Sequence, residues 1–149
     1  MKNENIFESL NEALKDANIY SYIWSHDQGF TLQMETRSPN KNIPKFIKLY
    51  MHDWWIGDKK EWNNKIQKMG EGIEPVDTVQ AFMLTKLLWD NTNIVDLNYR
   101  DKEYTLDLIF DDETNLSINL SKPEREYALL LIDESEKQGS WFIELNMRD

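Results

Sequence analysis

The chain predicts an α+β fold, with an antiparallel sheet built as a meander of hairpins and helices packed on one face. Three observations lead there. Three segments repeat apolar residues at helical spacing. Most of the remainder alternates apolar and polar residues with a period of two. Short polar turns separate the alternating runs, and such turns join antiparallel neighbours. At 149 residues the chain is a single globular domain, 1–149, with 40% hydrophobic and 12% aromatic residues to close a core.

The elements follow in order. Residues 4–17 place Ile6, Phe7, Leu10, Ala13 and Leu14 on one helical face, with Asn3 or Asn5 as the cap. Ile19 to Trp24 reads as a strand, and Ser25-His26-Asp27-Gln28-Gly29 has turn chemistry. Phe30, Leu32 and Met34 alternate with Thr31, Gln33 and Glu35, completing a hairpin. After the loop at 38–42 a strand is expected over 46–51. Trp62, Ile66 and Met69 lie at i, i+4, i+7 on a short helix ended by Gly70 and Gly72. Pro75 suits the first turn of the next helix, and Asp77 its positive end. That helix, near 76–91, is expected to bury Val79, Phe82, Met83, Leu87 and Leu88.

The last third is β in pattern. Val95, Leu97 and Tyr99 alternate with Asp96 and Asn98, and 100–102 is a tight connection. Tyr104, Leu106, Leu108 and Phe110 form a clean period of two. The turn at Asp111-Asp112-Glu113-Thr114-Asn115 leads into Leu116, Ile118 and Leu120. The strand at 103–110 should therefore pair with 115–120. Residues 127–132 form a more continuously apolar strand. A turn at 135–140, with Gly139, precedes the closing Trp141-Phe142-Ile143-Glu144-Leu145.

Charge is distributed unevenly. Residues 1–89 carry 12 acids and 11 bases; residues 90–149 carry 15 acids and 6 bases. Nearly all of the formal net charge of −10 therefore belongs to the last 60 residues. Such a field repels nucleic acid and anionic membrane and attracts a basic protein surface. The lysines of the middle region, Lys41 to Lys68, are interleaved with acids and read as a solvated face. The absence of cysteine rules out disulfides and thiolate metal sites. The N-terminal stretch has no apolar signal region and no run is long enough to span a bilayer, so a cytoplasmic location is expected.

Catalytic signatures are absent. There is no phosphate-binding glycine loop and no Gly-x-Ser-x-Gly. His26-Asp27 and His52-Asp53 are the only histidine pairs, fewer than a metal hydrolase needs, and read as turn residues at strand ends. Residues 111–115 lack the glycine and distal glutamate of a calcium loop. No cofactor, metal or catalytic residue is expected. For the adjacent Trp54 and Trp55 the readings stay open. Neighbouring strand residues face opposite ways, so one is buried and the other is a surface anchor; or the strand is covered on both faces, or the segment is a loop folding back. Trp54, Trp55, Asp107, Asp111, Asp112 and Glu113 are the candidate partner-binding residues.

The run Tyr104-Thr105-Leu106-Asp107-Leu108-Ile109-Phe110, the turn from Asp111 to Asn115, Leu116-Ser117-Ile118-Asn119-Leu120 and the closing Trp141-Phe142-Ile143-Glu144 together resemble small bacterial immunity proteins of polymorphic or contact-dependent toxin systems. The resemblance covers about a third of the chain and carries over no functional residue. It implies a cytosolic, acidic, non-enzymatic inhibitor of a toxin, often a basic nuclease. The charge argues the same way, since an acidic surface steers onto a phosphate-binding cleft and blocks it. Three other readings share the sequence: a phage-type mimic of nucleic acid that inhibits a defence protein, an enzyme using carboxylates of the acidic sheet, and a structural or adaptor domain.

Overall fold

The computed structural model describes residues 3–70, 76–135 and 141–147. Gly72, Pro75 and Gly139, assigned above to helix ends and turns, lie outside them. The described residues form three helices and nine strands, all pairing antiparallel, in an α+β arrangement.

Helix α1 (Asn3–Leu14) buries Leu10, Ala13 and Leu14, with Ile6 and Phe7 half-buried at the edge of the core. It stops three residues short of the expected 17. Asp16 takes a left-handed backbone (φ 66°), and its N–H is donated to the Ile94 carbonyl at 2.6 Å, outside the helix. The chain then enters β1 (Asn18–Ser25) and returns through the expected hairpin as β2 (Gly29–Glu35). Gly29 supplies the positive φ (73°) where β2 begins. Strand β3 (Phe46–Met51) extends this meander. Strand β4 (Trp54–Ile56) leaves it, and α2 (Lys59–Gly70) and α3 (Val76–Asp90) follow. Strands β5 (Ile94–Arg100), β6 (Thr105–Phe110) and β7 (Asn115–Asn119) make a second meander, and β8 (Leu129–Asp133) and β9 (Phe142–Leu145) a final hairpin.

The strands form two sheets rather than one. The first is ordered β1-β2-β3-β8-β9, the second β4-β7-β6-β5. Two exchanges make the split: β4 crosses to pair with β7, and β8 returns to pair with β3. The expected hairpin of 103–110 with 115–120 is present over 105–110 and 115–119, with Leu106 opposite Ile118 and Leu108 opposite Leu116; Glu103 and Tyr104 lie instead in a 3-10 turn and its left-handed cap.

One core is shared by both sheets. Leu32, Leu49 and Leu131 come from the first; Leu106, Leu108, Phe110 and Ile118 from the second. Phe30 of β2 meets Trp54 of β4 edge-on at 5.2 Å between ring centroids. Each helix docks on the same inner side. Phe7 of α1 stacks on Tyr99 of β5, Trp62 of α2 packs on Trp54, and the Tyr22 hydroxyl of β1 meets α3 at the Ala81 carbonyl and Thr85 hydroxyl. Helix α3 corrects one expectation. It buries Val79, Leu84 and Leu87, while Phe82 is 57% exposed. Among the described residues, no helix is long and apolar enough to cross a membrane.

Candidate functional site

With the inner faces committed to the core, polar chemistry collects on the outer face of the four-stranded sheet. Period-two alternation puts Thr105 and Asp107 of β6 on that face, beside Asn115, Ser117 and Asn119 of β7 and Trp55 of β4. Arg100 ends β5, and a 3-10 turn (Asp101–Glu103) carries Glu103 to the rim. The β6–β7 turn adds Glu113, and the start of α2 adds Asp58 and Lys59. These residues line a depression of about 840 Å³.

An ion-pair network forms its floor. Asp107 is only 4% exposed, and a buried carboxylate needs partners. Arg100 donates to both of its oxygens, Nε to Oδ2 and Nη2 to Oδ1, each at 3.0 Å. Ser117 donates its hydroxyl to Oδ1 at 2.6 Å. The remaining guanidinium nitrogen, Nη1, pairs with Glu103. Asp58 caps α2, accepting the Glu61 N–H at 3.1 Å. Over the whole depression, the carboxylates Asp58, Glu103, Asp107 and Glu113 face the cations Lys59 and Arg100, an excess of two negative charges.

The six sequence candidates separate. Trp55, Asp107 and Glu113 meet at the depression; Trp54, Asp111 and Asp112 do not line it. Two of them need correction as contact residues. Trp54 is 3% exposed and lies between Phe30 and Trp62, a core side chain. Asp107 is consumed by Arg100 and Ser117. Trp55 is on the opposite face of β4 from Trp54, as alternation requires, yet it too belongs to the buried hydrophobic cluster at 5% exposed, and Lys59 lies over its ring with Nζ 4.5 Å from the centroid. The strand is thus covered on both faces.

Asp111, Asp112 and Glu113 are exposed at the hairpin tip. Asp112 accepts the Thr114 N–H at 3.0 Å and the Asn91 side-chain amide at 3.1 Å, which ties the tip to the end of α3. The Thr114 side chain first, then these two bonds, hold its carboxyl below the ordinary aspartate value. Glu113 takes a left-handed backbone at φ 71°, and Tyr104, next to Glu103, does so at φ 48°. Both flank the depression, and such backbone is costly for a residue with a Cβ.

The histidine pairs sit elsewhere. His26 meets Trp24 edge-on. His52, expected as a solvated turn residue, is half-buried against Tyr127 with ring centroids 4.9 Å apart. Burial, then the charges of Arg125 and Lys122, lower its pKa. Among the described residues, no three carboxylate or imidazole groups cluster as metal ligands.

Arg100, Ser117 and Lys59 escaped the sequence reading. Ser117 had a signal, since it shares the outer-face parity of Asp107 across the hairpin. Arg100 and Lys59 had none. Comparison with protein-family models, curated proteins and solved structures gives no match.

Proposed function

We propose that this chain is a non-enzymatic binding protein of the toxin-immunity kind, acting in the cytoplasm. It presents the acidic outer face of its four-stranded sheet to a basic toxin domain, such as a nuclease, and occludes it. The observation that carries the reading is the carboxylate excess around one depression, to which the acidic C-terminal region, with 15 acids against 6 bases, contributes Glu103, Asp107 and Glu113 against Arg100. Opposite fields accelerate encounter and orient the partner before contact.

Backbone conformation supports the same place. A turn position at φ 71° is suited to glycine, and Glu113 occupies it at a conformational cost. A carboxylate retained there is accounted for if it meets a cation on the partner. The surface also offers what binding requires of a rim, since Glu103, Asp111, Asp112 and Glu113 are all exposed.

The test is association kinetics against the partner captured from the source cells. The triple variant D111N/D112N/E113Q removes the tip charges and keeps the turn residues' shapes. The on-rate of the parent chain should fall about tenfold or more as salt rises from about 20 to 500 mM, with dissociation changing less. The triple variant should start slower and depend less on salt. A salt-insensitive on-rate with unchanged affinity in the triple variant sinks the reading.

A further inference from the structure

The geometry points to the indole face of Trp55 as the receptor for an arginine side chain of the protein partner, a place the chain fills with its own Lys59 when alone. This rests on the acidic-face reading and deepens it by naming the side chain that docks.

Trp55 lies on the outer face of β4, where its ring lines the depression. Its low exposure comes with a cation placed over it, Lys59 Nζ being 4.5 Å from the ring centroid. Lys59 is the first residue of α2, and the positive end of a helix disfavours a cation. The side chain could extend into solvent; its ammonium lies instead over the ring, on a depression with an excess of carboxylates. Arg100 cannot serve instead, because Asp107 and Glu103 already fix its guanidinium.

An incoming arginine is better matched than the resident lysine. Its planar guanidinium stacks on an indole, sheds water more easily than an ammonium, and reaches a carboxylate with two parallel N–H donors. Glu113, exposed and lining the same depression, is the carboxylate it would meet. Lys59 has a flexible stem and a solvent-facing position, so it can swing away as the arginine enters.

The probe is the peptide acetyl-Gly-Arg-Gly-amide, titrated into the ¹⁵N-labelled full chain at low ionic strength and read on the Trp55 indole N–H. The variant W55F identifies that resonance. A saturable shift is expected, lost when citrulline replaces arginine. Lys59→Ala should tighten binding about threefold, by removing the resident competitor. Lys60→Ala, the same charge change one residue away, should tighten it less. Glu113→Gln should weaken it. No saturable shift at Trp55 overturns the inference. Equal tightening in K59A and K60A also overturns it, because charge then acts over the whole surface; the acidic-face reading survives that result. The expected Trp55 titration beside salt-insensitive partner kinetics supports the arginine site and sinks the acidic-face reading.

Discussion

Replacing Asp107 by Asn should destabilise the fold by about 2 kcal/mol. The carboxylate is 4% exposed and accepts two 3.0 Å bonds from Arg100 and one of 2.6 Å from Ser117. Asparagine keeps the shape and one acceptor. It loses the charge and turns an N–H₂ group toward a guanidinium that has only donors. Breaking a fully buried pair costs about 3–5 kcal/mol. The Arg100 side chain is 36% exposed, so water rehydrates part of the abandoned charge and the cost falls below that range, to about 2 kcal/mol. Urea unfolding followed by tryptophan fluorescence measures it. The midpoint should fall by about 1 M, and the melting temperature by about 4–8 °C. The double variant R100M/D107N should lose less than the two single changes combined, since the pair acts as a unit. A D107N chain within about 0.5 kcal/mol of the parent would refute the buried-pair reasoning.

Glu113→Gly should stabilise the free domain by about 1 kcal/mol, because glycine takes φ 71° without Cβ strain; the same change should weaken partner binding, and denaturation alongside binding kinetics reads both. His52 has a lowered pKa in the folded chain, so its contribution to stability is present above the ordinary histidine value of about 6.5 and is lost as pH falls through the folded value. A proton NMR titration should find it protonating below the ordinary value, and His52→Gln should flatten the stability profile between about pH 7 and 5. Tyr20 is pushed up to about 12 by desolvation of its hydroxyl and by the hydrogen bond to, and charge of, Glu134. Ultraviolet titration should therefore show a late-ionising phenol that moves down in Glu134→Gln, its stabilising share being lost only as pH rises toward that value.

Local patterns in the sequence carried the secondary structure well where apolar residues alternate with a period of two. The β6–β7 hairpin is the clearest case. Leu106, Leu108 and Phe110 alternate with Thr105, Asp107 and Ile109, a register slip would turn all three away from the core, and the structure holds the expected pairing, although Thr105, Asp107 and Ser117 on the opposite face are buried as well. Helix α3 was legible as a helix but its face was not. Apolar residues surround its axis from Val79 to Trp89, so spacing alone could not say that Leu84 is buried and Phe82 exposed. The division into two sheets had no local signature. It depends on β4, three residues long, pairing with β7, and on β3 pairing with β8 across some eighty residues. Nothing in a single strand encodes such a partner choice.

The site was legible by composition and opaque in detail. The acidic C-terminal stretch supplies most of the depression's lining, with Trp55, Gly57, Asp58 and Lys59 added from outside it, and alternation put Trp54 and Trp55 on opposite faces. Spacing could not reveal that Arg100 reaches diagonally across the hairpin to neutralise Asp107, or that Lys59 folds back over Trp55. Those contacts turn one candidate into an internal partner and another into a covered aromatic.

Hydrogen–deuterium exchange of the chain, alone and with its captured partner, tests the central claim most directly. The expected result is new protection at 57–59, 101–104 and 111–114, the three segments that surround the outer depression. Protection confined to the exposed aromatic side, at Phe82 and Trp89 of α3 and Tyr20 and Trp24 of β1, would contradict it and place the interface on the opposite chemistry.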